Sequence, residues 1–290
     1  MKKVLMVLFG VTVLVMPFSS FAGNCGDVDN SGTINILDVS YLINYLYRDG
    51  TAPDPLESAD VDYSGSINIL DAAYLINYLY RDGPEPDCGY NCPPTVTDID
   101  GNVYQTVLIG DQCWMMENLK VTHYRNGDPI PNVTDNSTWE GLTSGAYCEH
   151  NNDPGNVATY GRLYNWYAVD DSRNIAPEGW HVPTDAEWQV LVDYLGVDGV
   201  AGGKLKEAGT THWVSPNTGA TNESGFTALP GGYRCYDGGF YNMSSHAYFW
   251  SSTEYDDNYA WSRSLGFNYS EVGRSYGSKD YGFSIRCVKD

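Results

Sequence analysis

Basic residues are scarce in this 290-residue chain: 16 Lys and Arg stand against 37 Asp and Glu, a formal charge of −21 at pH 7. That deficit excludes a nucleic-acid binder, because phosphate contacts need a basic footprint. It equally excludes polybasic attachment to anionic lipid. Beyond residue 22 no apolar run approaches the ~20 residues a membrane-spanning helix needs. No Gly-Lys-Ser/Thr loop occurs, so no nucleotide cradle is expected. The five histidines, His123, His150, His181, His212 and His246, are scattered without metal-ligand spacing. What is abundant is different. Hydrophobic residues make up 42% with 24 Tyr and 8 Trp, too rich for a disordered chain, and 31 Gly with 14 Pro predict many turns.

Residues 1–22 read as a secretory signal. Lys2 and Lys3 precede an apolar stretch from Val4 to Val15, and Ser20 and Ala22 sit at −3 and −1 of a cleavage pattern. Cleavage removes two lysines and no acids, deepening the charge to −23. Export permits disulfides. Seven cysteines remain, an odd number, so at least one thiol is free or pairs with another chain. Cys25 together with either Cys88 or Cys92 brackets one module, which suggests a bridge tying its ends.

An internal repeat carries the clearest chemistry. Asp27-Val-Asp-Asn-Ser-Gly-Thr-Ile-Asn-Ile-Leu-Asp38 recurs 33 residues later as Asp60-Val-Asp-Tyr-Ser-Gly-Ser-Ile-Asn-Ile-Leu-Asp71. Oxygen donors fall at positions 1, 3, 5 and 9 of a calcium loop: Asp27, Asp29, Ser31 and Asn35, then Asp60, Asp62, Ser64 and Asn68. Position 6 is Gly32 or Gly65, where the loop turns. Position 7, Thr33 or Ser66, donates a backbone carbonyl, and position 12 is the carboxylate of Asp38 or Asp71. Hard oxygen ligands in this number select calcium over a transition metal. Each loop is followed by an apolar stripe at helical spacing, Val39, Leu42, Ile43 and Leu46 in the first copy and Ala72, Leu75, Ile76 and Leu79 in the second. Gly50 and Gly83 are expected to stop the helices. No incoming helix precedes either loop.

Two loop–helix units without an entering helix resemble the dockerin type I module, over residues 24–87 or so. The resemblance implies a small all-α module folded around two calcium ions that docks on cohesin-type modules of scaffold or cell-surface proteins. In that family, loop positions 10 and 11 contribute to cohesin choice; here they are Ile36-Leu37 and Ile69-Leu70. These pairs are more apolar than the hydroxyl-bearing pair of cellulosomal members, and either repeat could present the same face. Calcium-dependent folding of residues 23–92 is expected, because metal-free loops would crowd carboxylates over a small core.

Pro93-Pro94 and the Gly/Pro/Cys-rich stretch from Gly83 form a linker. Residues 23–92 then make one domain and residues 93–290 a second, with net charges of −10 and −13. In the second, Val103 to Ile109 reads as a strand, and Thr184-Asp-Ala-Glu187 as a capping box opening a helix through Leu195. Leu163 to Val169 is expected as another helix. From residue 226 the chain reads as short aromatic-rich strands and loops, giving an α+β, loop-rich domain.

Here a second resemblance enters. Ile109-Gly-Asp-Gln-Cys-Trp-Met-Met-Glu-Asn-Leu119, Gly179-Trp-His-Val-Pro-Thr-Asp-Ala-Glu-Trp188, Gly225-Phe-Thr-Ala-Leu-Pro-Gly-Gly-Tyr233, Phe249-Trp-Ser-Ser-Thr253 and Gly282-Phe-Ser-Ile-Arg-Cys-Val288 resemble the Fibrobacter succinogenes major paralogous domain. More distantly these landmarks are similar to the formylglycine-generating-enzyme type of C-type-lectin-like fold. That oxidase binds copper through two cysteines near its C-terminus, whereas only Cys287 lies in the corresponding region here. A non-catalytic domain is therefore expected, with Glu187 explained by its capping box.

Residues 236–281 are dense in Tyr, Ser, Gly, Asn and Asp, the composition of a paratope. Tyr241, Tyr248, Tyr255, Tyr259, Tyr269 and Tyr276 are the expected contacts for a glycan or protein ligand. Asn151-Asn-Asp153 and Asp256-Asp-Asn258 are candidates for a further calcium. The chain thus reads as a secreted or cell-surface binding and adhesion protein that docks on an extracellular assembly, one that handles polysaccharide. The rivals are a carbohydrate-active or oxidase-like enzyme recruited by the docking module, and a structural surface-layer component.

Overall fold

The computed structural model describes residues 25–88 and 92–290, so the expected leader at 1–22 lies outside the described residues. The chain divides into two units, residues 1–90 and 91–290.

In the first unit each repeat folds as a loop and then a helix, α1 (Ile36–Tyr47) and α2 (Ile69–Tyr80). The helices begin inside the calcium loops, at position 10. Asn35 and Asn68 at position 9 are the reason, because each is an N-cap. Their side chains accept the N–H groups of Leu37 and Leu70 at 2.8 and 2.9 Å. Asp38 and Asp71 accept the caps' own backbone N–H groups at 2.7 and 2.8 Å. The reciprocal pair is a capping box, with Asp in the place usually held by Glu.

Val39, Leu42, Ala72 and Leu75 are buried with Val28, Ala59 and Val61, while Ile43, Leu46 and Leu79 are half-buried and Ile76 is exposed at the rim. Complete burial of side chains such as Leu42 and Leu75 contributes about 1.5–3 kcal/mol each. The glycines after the helices act through space rather than backbone sign. The left-handed residues are Asp49 and Asp82 (φ 53° and 50°). At Gly50 a Cβ would stand 2.8 Å from the Asn44 carbonyl carbon.

Cys25 bonds Cys88, which closes a span of 63 residues. Cys92, the other candidate partner, bonds Cys113 in the second unit. Cys148, Cys235 and Cys287 are free.

The second unit mixes helices and strands. Its strands are β1 (Thr95–Thr97), β2 (Val103–Ile109), β3 (Gln112–Met115), β4 (Tyr147–Cys148), β5 (Leu163–Tyr164), β6 (Trp180–His181), β7 (Gly231–Arg234), β8 (Phe240–Met243), β9 (His246–Glu254), β10 (Tyr259–Gly266), β11 (Gly273–Ser278) and β12 (Val288–Lys289). They form two five-stranded sheets, ordered β1-β2-β3-β12-β6 and β11-β10-β9-β7-β8, and the pair β4-β5. Five helices join them: α3 (Asn136–Glu140), α4 (Val157–Tyr160), α5 (Trp166–Val169), α6 (Asp185–Tyr194) and α7 (Asp198–Leu205). The strand expected at 103–109 is β2. The capping box forms as expected, with Glu187 accepting the Thr184 N–H at 2.7 Å.

The helix expected from Leu163 to Val169 is two elements. Leu163 and Tyr164 pair with Cys148 and Tyr147 as a strand. The helix starts only at Trp166, behind Asn165, whose Oδ1 accepts the N–H groups of Ala146 and Ala168 at 2.9 and 3.2 Å. Sheet pairing and an Asn cap thus override the helical periodicity of the segment.

Three family landmarks meet at one side chain. The fully buried Arg286 guanidinium donates to Asn118 Oδ1 (2.7 Å) and to the carbonyls of Met115 (3.2 Å), Phe226 and Thr227 (3.1 Å). No carboxylate is among these four partners. Arg234 and Lys206, also fully buried, are satisfied largely by loop carbonyls in the same way. Buried cations here replace missing ladder hydrogen bonds in a loop-rich domain.

Candidate calcium centres and partner surfaces

The two loops build nearly identical sites. Asp27 accepts the N–H groups of Ser31 and Gly32 at 2.9 and 2.7 Å, and Asp60 accepts those of Ser64 and Gly65 at 3.0 and 2.8 Å. These bonds fold each loop so that its first and third carboxylates face its last. One oxygen from each of Asp27, Asp29 and Asp38 lies within 4.8 Å of the others, and the same holds for Asp60, Asp62 and Asp71. The turn needs Gly32 and Gly65, whose φ values of 88° and 79° would strain any side chain.

Ser31 Oγ and Ser64 Oγ stand at the same loops, each within 3.3 Å of the carbonyl of Thr33 or Ser66. Asn35 and Asn68 are not free oxygen donors, since their Oδ1 atoms already cap the helices, although an amide oxygen keeps a second lone pair.

The electrostatics suit a cation. Asp38 and Asp71 are wholly buried. Burial raises both carboxyls above the usual range, and the facing carboxylates Asp29 and Asp27, or Asp62 and Asp60, raise them further. Among the described residues no basic side chain pairs with any of the six acids. Hard, clustered and otherwise unneutralised oxygens fit calcium, which would be held by Asp27, Asp29, Ser31, Thr33 and Asp38 in one loop and by Asp60, Asp62, Ser64, Ser66 and Asp71 in the other. Bound there, calcium would supply the missing positive charge and tie each loop to its helix.

The residues at positions 10 and 11 do not pack a core. Ile36 and Leu37 are 45% and 60% exposed, and Ile69 and Leu70 are 48% and 61% exposed. The two copies therefore carry matching apolar faces on the first turn of each helix.

In the second unit the six expected tyrosines fall into two groups. Tyr255, Tyr259 and Tyr276 meet at the end of β9, β10 and β11, with the rings of Tyr255 and Tyr276 stacked at 4.3 Å. Trp261, which sequence reasoning passed over, completes this group through edge contacts to Tyr255 and Tyr276. Its signal was the alternation Tyr259, Trp261 on one strand face. Tyr241, Tyr248 and Tyr269 belong elsewhere. Tyr241 packs on Tyr233, Tyr248 stacks on Phe283, and Tyr269 contacts His246.

The candidate third calcium segments hold turns. Asp153 accepts the Gly155 N–H at 2.8 Å, and Asp256 accepts those of Asn258 and Tyr259 at 2.9 and 3.0 Å. Among the described residues, only the two loops gather three acidic, His or Cys ligand atoms.

Two family models match the chain. The Dockerin type I domain matches residues 25–80, and the Fibrobacter succinogenes major domain matches residues 107–289, more than half of the chain. The chain is a Fibrobacter succinogenes major domain protein carrying a dockerin type I domain. Searches of curated proteins and of solved structures find no match. Dockerin type I domains bind calcium and dock on cohesin modules, and the ten loop residues that fit calcium here all fall within the matched dockerin segment. The Fibrobacter succinogenes major domain spans the landmark segments that converge on Arg286. No helix among the described residues is long and apolar enough to cross a membrane.

Proposed function

We propose that this protein is exported through a cleaved leader at 1–22 and held, through calcium-loaded loops, on a cohesin-type partner of an extracellular or cell-surface assembly. The observation that carries this reading is the paired exposure of Ile36-Leu37 and Ile69-Leu70 on helices whose first turns are anchored by the calcium loops. Residues 93–290, with a C-type-lectin-like architecture, then serve as a non-catalytic domain that presents a glycan or protein ligand surface to an assembly that handles polysaccharide.

The test is binding of the full-length mature protein to immobilised recombinant cohesin modules, in millimolar calcium and again with chelator. Saturable binding that chelator abolishes and that Leu37→Asp with Leu70→Asp removes supports the reading. Binding indifferent to calcium, or to both substitutions, rejects it.

A further inference from the structure

We infer that the ring cluster Tyr255, Tyr259, Trp261 and Tyr276 is the ligand site of the second domain and that its ligand is a neutral glycan. The inference rests on the reading of residues 93–290 as a ligand-presenting domain and names the place and the chemistry.

Three observations carry it. The first is exposure: Tyr255, Tyr259 and Tyr276 are 47%, 38% and 49% exposed on one end of the sheet. The rings of Tyr255 and Tyr276 lie 6° from parallel, and the Trp261 ring stands 89° and 83° from them. Trp261 is opposed to Tyr276 across β10 and β11, and its ring carries the Arg274 guanidinium at 3.8 Å. Trp261 is thus a buttress, and the tyrosines are the presented rings.

The second observation is rigidity. The turn between β9 and β10 bears Tyr255 and Tyr259 and is closed by a Tyr255 N–H bond to the Tyr259 carbonyl at 2.9 Å. Lys279, 6% exposed, reaches under it to the Asp257 carbonyl at 3.0 Å and to the Glu254 carboxylate. A surface held this way loses little conformational freedom on binding.

The third observation is charge, which selects the occupant. Lys279 is neutralised by Glu254, and Arg274 donates to both oxygens of Asp185. An anionic ligand therefore finds two engaged cations and two added carboxylates, Asp256 and Asp257. A lysine- or arginine-rich peptide would meet Asp256 and Asp257, but Glu254 is paired with Lys279 and these two carboxylates stand on the turn rather than on the ring faces. Uncharged rings with phenol hydroxyls and a few acceptors suit a ligand with an apolar C–H face and a hydroxyl rim. A neutral pyranose chain has both.

The test is affinity gel electrophoresis of the full-length protein through hydroxyethylcellulose, xyloglucan and galactomannan, with poly-lysine titrated in parallel. Expected is retardation by at least one of the three glycans, weakened about tenfold or more in Tyr255→Ala/Tyr276→Ala, as for a central aromatic contact. Tyr236→Ala, an exposed tyrosine that stacks on Tyr281 outside this cluster, should retain it. If the double variant lowers the thermal midpoint, Tyr259→Ala is read in its place. Undiminished glycan binding in these variants overturns the site while leaving the ligand-presenting reading intact. Poly-lysine binding without glycan binding overturns the ligand class alone. Binding to neither overturns both.

Discussion

Asn35 and Asp38 hold each other's backbone: the Asn35 side chain caps the helix at Leu37, and the Asp38 carboxylate accepts the Asn35 N–H at 2.7 Å. Asp38 also takes the Asp29 N–H on its other oxygen at 3.1 Å. A single carboxylate therefore ends the loop, caps the helix and stands in the cluster that could hold a metal ion. Asp71 repeats the arrangement through Asn68 and Val61. The carboxylate that would bind the metal is thus also the one that closes the helix cap in each repeat.

The two loops differ at position 4. Asn30 and Tyr63 both adopt left-handed backbone, with φ of 57° and 51°. Asn tolerates that region and Tyr does not, at a difference of about 1 kcal/mol. Tyr63→Asn is expected to stabilise the first unit by roughly that amount and to tighten calcium at the second loop. Chemical unfolding of the variant against the parent, with and without calcium, checks both.

Calcium and the Cys25–Cys88 bond restrain the same small unit. Removing the bond, by replacing both cysteines with serine, is expected to cost about 2–5 kcal/mol. Chelator alone should loosen the oxidised unit, whereas chelator added to the serine variant should unfold it. Far-ultraviolet circular dichroism of the four combinations separates these states.

Arg286→Met would leave the Met115, Phe226 and Thr227 carbonyls and Asn118 Oδ1 without their donor. Each buried unpaired acceptor costs about 1–3 kcal/mol, so the second domain is expected to fail to fold at 37 °C. Arg286→Lys should recover little, because one ammonium cannot span four partners in a plane. Soluble yield and the calorimetric transition of the second domain report the result.

Asp185 gives the second domain an acid-sensitive contact. Burial alone would raise its carboxyl, but the hydrogen bonds and charge of Arg274 and Arg263 outweigh that and hold it below the ordinary value. The depressed pKa means that the folded state binds its proton less readily than the unfolded state. Its contribution is present above the unfolded value near pH 4 and is lost as pH falls through the lower folded value. Wild type should therefore exceed Asp185→Asn in stability at pH 6, and the gap should narrow steadily toward pH 3. Urea unfolding across that range tests it; a constant gap would contradict the assignment.

The clustering of the three acids in each loop was legible because they lie within twelve consecutive residues, so spacing alone brings them together. The exposure of Ile36 and Leu37 was less so, since the sequence allows them a core role until the Asn35 cap starts the helix beneath them. In the second domain, Leu163 to Val169 shows the limit of local pattern: Tyr164 is claimed by Tyr147, far away in sequence. Arg286 acts through partners 59 to 171 residues distant, and no periodicity announces such contacts.

The most direct measurement is a calorimetric calcium titration of the chelator-stripped, full-length mature protein, repeated with Asp38→Ala and with Asp71→Ala. The account predicts two ions per chain for the parent and one for each variant, with helix signal gained as the loops fill. A stoichiometry of one or none for the parent, or variants that still bind two, would contradict it.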